Sequence, residues 1–489
     1  MSKRFRLLID TNVFIPLHDG DTAVLDSALA NFVRIAGIAG HQLLRHNATT
    51  IDFERDKNDA RRKRNLSWQN LYQCLEAQGP CPWNTASTPE NDVCDNELLW
   101  ALKCDAVHAL VTEDEGIHRK ARRENLSTRV YTIQAAEVWL KRLHEPIRVS
   151  LPNIQDVALH QLTTRLSDIF FDSLRQGYDS FDRWFRTKAQ EGRLAWCHFD
   201  EQDKLRAICI YTDQEDEVTT DDGQILSGKA LKLCTFKVGE LVRGQKIGEL
   251  FLKASFKYAT DNGHQHIFIH AKQTQEHLIR LLADFGFEKL GEYRGDEVWV
   301  KEHPSEPPTA DVAAFAYCKK YFPHYRAEAD IQKFIIPIQP RYHKILFPDY
   351  TPIQRMLPDP YATHVGNAIK LAYLCNSPAK SLRAGDLVLF YRTGDEKAIT
   401  SIGIVEFFDS SQDAEKIASI VGRRTVYSFE QIKALAKKDT RVILFRLIKH
   451  LSKTIAYGQL KREGIVSGPI QSITKASDES FAKIVANWQ

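Results

Sequence analysis

Prolines set the first limit on what this chain can become. At Leu143-His144-Glu145-Pro146 a helical pattern, AAEVWLKRL, meets a proline and gives way to the strand-like IRVSL. Proline lacks the backbone N–H and bars the residue before it from helical backbone, so an element ends there. A second stop, HPSEPPTADV, gathers Pro304, Pro307 and Pro308 in a composition suited to an extended linker. The chain has 489 residues, and a single core rarely grows beyond about 300. The seams therefore predict units over 1–146, 147–303 and 330–489, with a linker over 304–329.

Composition excludes several classes. With 43% hydrophobic and 26% charged residues the sequence reads as globular, not disordered. The net charge of +3 excludes a polycation, so a nucleic-acid surface must come from local clustering. Nine cysteines without a CxxC pair or a tight Cys/His group argue against a zinc ribbon and a secreted disulfide framework. The apolar stretch in MSKRFRLLIDTNVF is broken by Asp10 too early for a signal peptide. No run approaches the ~18 apolar residues of a membrane helix. A soluble, cytoplasmic protein with reduced thiols is expected.

The first unit collects acids where apolar runs stop. RLLI is a short buried strand ending in Asp10, with Thr11 and Asn12 behind it. NDVCDNELLWALKC sets Asp92 and Asp95 at the start of an apolar helix, and HALVT runs into Glu113 and Asp114. Strand carboxyl ends and the following helix starts share one crevice in a parallel α/β sheet. Acids crowded there repel one another unless a divalent metal neutralises them. Any one of them alone is an ordinary helix cap.

IDTNVFI, an acidic helix, DNELLWAL and LVTEDEGI together resemble the PIN-domain nucleases across this unit. The resemblance implies an α/β sandwich on a parallel sheet, with Asp10, Asp95 and Asp114 as ligands of Mg²⁺ or Mn²⁺. Asp92 competes for the place of Asp95. A further catalytic acid falls among Asp52, Glu54 and Asp56, with Asp52 favoured. Thr11, Asn12 and Thr112 become supporting polar groups. Two-metal hydrolysis of a phosphodiester is the implied chemistry, and hydroxide attack does not discriminate RNA from DNA. Arg55, Lys57, Arg61, Arg62, Lys63 and Arg64 offer phosphate neutralisation beside Trp68 and Tyr72, which could stack on bases.

In the second unit the strand LKLCTFKV leads through GELVRGQKIG into an amphipathic helix, then HIFIHAK and LIRLLADFGF give a β-α-β-α order. An acidic insertion, TDQEDEVTTDDGQ (212–224), reads as a solvated loop. A strand, a glycine-bearing loop and a helix start make an anion site, because unpaired amides and the helix dipole face it. RGQKIGELFL and LLADFGFEKLGEY resemble the GNAT acetyltransferases, an α+β fold. The resemblance implies acetyl-CoA held by the backbone around Val242, Arg243, Gly244, Gln245, Lys246, Ile247 and Gly248. Lys246 stands where the family has a glycine, so it adds charge to the phosphates or crowds the loop. Leu282 stands where the family often has a tyrosine acid, leaving transfer or mere sensing of the cofactor open.

The third unit alternates strong strands, AGDLVLFYRT, AITSIGIVEFF and RVILFRLIKHL, with turns and helices, the pattern of a small β-barrel. GDLVLFYRT, GIVEFF and GPIQSIT resemble PUA-like domains of the ASCH and EVE type, which implies RNA or modified-base recognition. Tyr391 and Arg392, with Arg341, Tyr342, His343, Arg423, Arg424 and Tyr427, are the cationic and aromatic candidates for base contact.

Taken together, the three resemblances imply RNA as a shared substrate. The leading expectation is a metal-dependent ribonuclease of toxin or defence character, with an antitoxin-like or regulatory partner. The alternative is an N-acetyltransferase of tRNA or a translation protein carrying a non-catalytic PIN module. A non-catalytic RNA-binding regulator is the third.

Overall fold

The computed structural model describes residues 4–18, 27–75, 78–86, 88–144, 154–350, 368–379 and 381–488. In chain order the first elements are β1 (Arg6–Ile9), α1 (Thr11–His18), α2 (Ser27–Ile38), β2 (Gln42–Arg45), α3 (Asn47–Glu54) and α4 (Asp59–Trp68). Next come β3 (Gln73–Cys74), α5 (Glu90–Lys103), β4 (Ala109–Val111), α6 (Glu115–Arg123), β5 (Val130–Tyr131) and α7 (Ile133–His144). The five strands form one parallel sheet in the order β3-β2-β1-β4-β5. Leu7, Leu8, Ala109, Leu110 and Val111 are buried, as the middle strands of a sheet covered on both faces require. Chain order reverses between β1 and β4, which opens a crevice at their carboxyl ends.

A second, seven-stranded sheet follows. Its elements are β6 (Gln155–Ala158), α8 (Asp172–Gly177), α9 (Phe181–Gln190), β7 (Leu194–Phe199), β8 (Leu205–Glu215), β9 (Lys229–Val238), α10 (Ile247–Asp261), β10 (His266–Ala271), α11 (Glu276–Asp284), β11 (Glu288–Tyr293) and β12 (Asp296–Glu302). The order is β11-β12-β10-β9-β8-β7-β6, antiparallel except for the β9–β10 pair. The acidic insertion runs from the end of β8 into a turn that is only partly solvated: its acids are exposed, but Thr219 and Thr220 are buried and Asp221 N–H donates to the Glu292 carbonyl of β11 at 2.8 Å.

The proline-rich stretch 304–329 is not extended throughout. It contains α12 (Ala314–Tyr321), and the Tyr317 hydroxyl donates to the Pro308 carbonyl at 2.7 Å. Buried Lys301 donates to the carbonyls of Lys319 and Lys320, at 2.9 and 2.7 Å, closing the helix C-terminus. Prolines supplied the turn before the helix, and packing did the rest.

The remaining elements are β13 (Lys333–Ile338), α13 (Pro340–Leu346), β14 (Lys370–Cys375), β15 (Leu387–Arg392), β16 (Ala398–Ser411), α14 (Ala414–Val421), α15 (Phe429–Ala436), β17 (Thr440–Ala456), α16 (Tyr457–Arg462), β18 (Thr474–Ala476) and α17 (Asp478–Trp488). Their sheet runs β14-β17-β16-β15-β13-β18. It corrects the expected barrel: β14 and β18 are its two edges, and among the described residues no ladder joins them. The protein is thus a multidomain α/β chain with one parallel and two mixed sheets.

Contacts divide the chain into two compact units. One comprises Met1–Arg148, Ala372–Asn376 and Asp409–Val442; the other comprises Val149–Leu371, Ser377–Phe408 and Ile443–Gln489. Within the first, Trp139 Nε1 donates to the Ala418 carbonyl at 3.1 Å and the Tyr131 hydroxyl to the Ser419 carbonyl at 2.8 Å. Phe5 and Phe429 pack with centroids 4.9 Å apart. Two late helices, α14 and α15, therefore complete an early core.

Within the second unit a buried ion cluster joins α11 to the third sheet. Arg446, 3% exposed in its side chain, donates to Asp284 Oδ1 and to its carbonyl, both at 2.8 Å, and Lys370 Nζ reaches Asp284 Oδ2 at 2.6 Å. Removing one partner of such a buried pair costs about 3–5 kcal/mol, because the other charge is left uncompensated. Asp284 is itself 36% exposed, so Asp284→Ala is expected to destabilise the second unit by about 2 kcal/mol, short of that range, read from urea unfolding. A loss below about 1 kcal/mol would mean that Glu406 alone holds Arg446.

Candidate functional site

The crevice between β1 and β4 gathers the expected acids. Asp10 follows β1, Asp114 caps α6 by accepting from Ile117 N–H at 3.0 Å, and Asp95 sits in the first half of α5. Thr112 donates to Asp10 Oδ2 at 2.7 Å and accepts from Asn12 Nδ2 at 3.2 Å; Thr11 N–H donates to Asp10 Oδ1 at 2.7 Å. Gly116 keeps the crevice open, since a Cβ there would lie 2.8 Å from Asp114 Oδ1 and 3.7 Å from Asp95 Oδ2. Asp10 is 4% exposed. Burial pushes its carboxyl up to about 6 against the pull of the Thr112 and Thr11 hydrogen bonds, and the charges of Asp95 and Asp114 act in the same direction as burial.

A cation is already present, and it belongs to the protein. Lys120 of α6 places Nζ 3.1 Å from Asp95 Oδ2 and 3.1 Å from Asp92 Oδ1. The sequence hid this residue within the basic run HRKARR; its place on the helix that Asp114 caps was the available signal. Asp95 and Asp92 are thus neighbours through one ammonium rather than rivals for one place. Among the described residues no three His, Cys, Asp or Glu side chains are grouped to hold one ion. The carboxylates of Asp95 and Asp114 close on Gly116, but Asp10, Asp95 and Asp114 each have protein partners, so in this arrangement they do not form a metal-ligand set.

Of the candidates for a fourth acid, Asp52 of α3 is half-buried beside Cys94 and 3.7 Å from Arg55. Burial raises its carboxyl, yet the charges bearing on Asp10 are those of Asp95 and Asp114. Glu54 is exposed. Asp56 is committed to Arg61, at 2.5 and 2.9 Å, which draws its carboxyl down to about 2.

The basic run around α4 is less cationic than its letters. Arg55 pairs with Asp52, Arg61 with Asp56 and Arg62 with Asp59, so three guanidinium groups are answered within their own segment. Lys63 is exposed and Arg64 half-buried. Trp68, 42% exposed, stacks on His18 at 4.8 Å. In the third sheet, Tyr391 and Arg392 are buried, at 5% and 7%, and Arg392 is held by Asp395 at 2.5 Å and Glu396 at 3.4 Å. All six residues of β15 are buried, so both of its faces are covered and neither residue stands on an exposed base-reading surface; the bulge beside them adds Thr400 to the facing strand, β16. His343 is fully buried on Thr400 at 2.9 Å, and Tyr427 donates to the Leu374 carbonyl at 3.0 Å. Arg341 lies over Tyr342 at 4.5 Å, Arg424 is half-buried, and the Arg423 side chain lies outside the described residues.

The strand–loop–helix of the second sheet keeps the conformation its glycines imply. The β9–β10 ladder ends at Leu233 and Ile269, while β9 continues to Val238. A bulge at this point, with Tyr211 opposite Leu233 and Ile210 opposite Thr235, bends β9 away. The diverging strand ends leave an opening beside the start of α10, whose first amides have no helical acceptor and no side-chain cap. Gly244 (φ 81°) and Lys246 (φ 63°) are both left-handed. Lys246 therefore holds a backbone conformation that glycine adopts without strain, at a cost of about 1–2 kcal/mol. Its ammonium turns away from the loop to the Lys370 carbonyl at 2.5 Å, while Lys370 N–H donates to Glu249 at 2.5 Å. Lys246 neither adds charge to the loop nor crowds it. Arg243 approaches Glu240 at 3.7 Å. Val242 and Ile247 are buried in the core, so what the loop offers an anion is backbone together with the exposed side chains of Arg243 and Gln245. Gly248 faces Leu281 and Phe236, which a Cβ would meet at 2.9 and 3.5 Å. Leu282 is fully buried and supplies no acid.

No protein-family model and no curated protein sequence matches this chain. Among solved structures it is similar, over 32% of its own length and 94% of the other, to ASCH from Zymomonas mobilis, with 17% identity and a TM-score of 0.25. It is similar over 31% of its length, and 99% of the other chain, to the PaiA N-acetyltransferase of Thermoplasma acidophilum in complex with coenzyme A, with 13% identity and a TM-score of 0.24. A third likeness, over 30% of this chain and 97% of the other, is to NAA60 of Arabidopsis thaliana in complex with a bisubstrate analogue, with 17% identity and a TM-score of 0.24. The PIN resemblance of IDTNVFI and LVTEDEGI has no counterpart in these three. Among the described residues no helix is long and apolar enough to cross a membrane.

The buried Asp10 yields a stability prediction. Its carboxyl ordinarily titrates near 3.8 and here near 6, so between these values the folded chain binds more protons than the unfolded one. Stability from this group is full below 3.8 and falls as pH rises to 6. At neutral pH the buried charge costs on the order of 2–3 kcal/mol. Asp10→Asn is expected to raise Tm at pH 7.5 and to lose that advantage below pH about 4. A variant less stable than wild type at pH 7.5 would show that the carboxylate, not its neutral form, suits the site.

Proposed function

We propose that this chain is an acyl-CoA-dependent N-acyltransferase whose acceptor is an amine of tRNA or of a translation protein. The observation that carries the reading is the opening between β9 and β10 at the uncapped start of α10, with Gly244 and Lys246 in left-handed backbone. Backbone amides at Gly244, Ile247 and Gly248 would hold a pyrophosphate, with the α10 dipole adding to the attraction. Acetyl-CoA would supply the thioester carbonyl, exchanging its C–S bond for an amide bond while the amine proton passes to the thiol. The chain contributes a dry wall, built by Leu233, Phe236, Leu281 and Leu282, that keeps water from the same carbonyl. With leucine at position 282, the protein supplies orientation and exclusion of water there rather than a proton. RNA binding by the third sheet, a regulatory partner and a cytoplasmic location belong to this reading.

Gly248→Leu places a branched side chain against Leu281 and Phe236 at the mouth of the opening. Coenzyme A is expected to raise the Tm of the wild type and to leave that of Gly248→Leu unchanged, with affinity down at least about ten-fold. Lys246→Gly should keep its affinity within about three-fold, since the ammonium points elsewhere. A wild type that coenzyme A does not stabilise ends the reading.

A second reading, a Mg²⁺- or Mn²⁺-dependent endoribonuclease of toxin character, is favoured by the convergence of Asp10, Asp95 and Asp114 around Gly116. It requires Lys120 to release Asp95. RNA cleavage that depends on added metal and disappears in Asp10→Asn and Asp114→Asn is the expected result. Intact RNA and DNA with the wild type would remove the reading.

A further inference from the structure

Side chains alternate across a strand, so the face of β9 and β10 turned away from α10 carries a different set of residues. Leu231, Leu233, Ile267 and Ile269 pack into the core with Leu250 and Phe251 of α10. Lys232, Cys234, Phe268 and His270 alternate with them and face the other way. That face carries an apolar cluster, Phe268 with Leu226, Ala230 and Val298, and cations stand around it. Lys232 lies over the Phe268 ring at 5.4 Å, and Lys237 over Phe170 at 4.9 Å with its ammonium on Ser173 Oγ at 2.5 Å. Lys272 lies over Tyr178 at 4.3 Å and donates to the Gly177 carbonyl. Arg193 reaches Cys234 Sγ at 3.1 Å, and Arg294 covers Tyr293, which packs on His270 at 5.0 Å.

The three lysines are half-buried, and among the described residues none forms an ion pair with a carboxylate. A half-buried ammonium without a carboxylate is costly, and burial lowers both Lys232 and Lys237. The nearby acids keep their distance: Glu217 acts on Lys232, Asp172 and Glu240 on Lys237, Asp221 on His270, and Asp296 accepts from the Tyr178 hydroxyl at 3.1 Å. His270 Nε2 is buried with no hydrogen-bond partner among the described residues. Cations interleaved with ring faces, a spare imidazole nitrogen and missing counter-charges describe a surface whose balance comes from outside the chain.

We infer that this face is the acceptor groove, and that it takes a single strand of nucleic acid, with Lys232, Lys237 and Lys272 on phosphates and Tyr178 and Tyr293 against bases. Cations alone would suit an acidic peptide equally. The rings beside them favour bases, which stack on aromatic faces without regard to sequence. The groove adjoins the opening between β9 and β10 from the face opposite α10, so an amine on the strand would meet the thioester there. The inference rests on the acyl-transfer reading for what the groove does, not for whether it binds.

Fluorescence anisotropy of the full chain with a labelled single-stranded RNA of about 12 nucleotides reads the groove directly. Lys232→Gln/Lys272→Gln is expected to weaken binding about ten-fold or more, and to flatten the slope of log affinity against log salt by about 1.4, two phosphate contacts at roughly 0.7 each. Stabilisation of the same variant by coenzyme A should match wild type, which shows the fold intact. RNA binding unchanged in the variant overturns the inference. So does a wild type that ignores RNA, whether or not it binds poly-glutamate; in the former case the acceptor is an acidic protein. Absence of coenzyme A stabilisation in wild type, with lysine-dependent RNA binding retained, removes the acyl-transfer reading alone.

Discussion

Two parallel strands cannot be joined by a tight turn; the chain must climb back over the sheet, nearly always as a helix. Every site described above follows from that constraint. The crossover from β1 begins at Asp10 and the helix after β4 begins at Asp114, so both start on the same edge of the sheet. Among the described residues the only parallel pair in the second sheet, β9 with β10, brings the start of α10 to the place where those two strands diverge. Helix N-termini carry positive dipole and spare amides, so the topology alone puts anion-binding potential beside β1, β4 and β9. Side chains then decide what each edge accepts.

Side chains decide it differently in the two places. In the first sheet they supply carboxylates to the positive helix ends and add Lys120 as an internal counter-ion, so charge is largely settled within the protein. What remains unsettled is Asp10, too buried to ionise easily. In the second sheet the helix end is left to backbone, and the reverse face accumulates lysines from which the nearby acids keep their distance. One edge satisfies itself and the other does not, and that contrast weighs toward the second as the working surface. Lys246 illustrates the same economy: its side chain was free to dock on Lys370 because the loop needed only its backbone.

Much of this was legible in the residues. Short apolar runs ending in Asp10 and Thr112 had to be buried parallel strands, because nothing polar interrupts them. Glycine spacing in RGQKIG located the loop, since left-handed backbone is a local property of one or two residues. Long-range electrostatics was not legible. Lys120 lies 25 residues from Asp95, and no local pattern announces their pairing. The run from Arg55 to Arg64 looked like a phosphate surface because the interspersed Asp52, Asp56 and Asp59 neutralise it only once helices bring them round. The supposed barrel failed for a related reason: strand strength is local, whereas closure depends on which edges meet. Tyr391 and Arg392 are buried because both faces of β15 are covered, and what covers a strand is a tertiary outcome that leaves no trace in composition.

The helices α14 and α15 carry a consequence for how the protein is made. They arise more than 260 residues after α7, yet Trp139 and Tyr131 each donate a hydrogen bond to α14, and Phe5 has one of its ring partners on α15. A ribosome releasing the chain from its N-terminus delivers β1 through α7 long before those partners exist. The parallel sheet must wait, half-covered, while the second sheet is synthesised and folds, and an apolar flank stays available to chaperones for that interval.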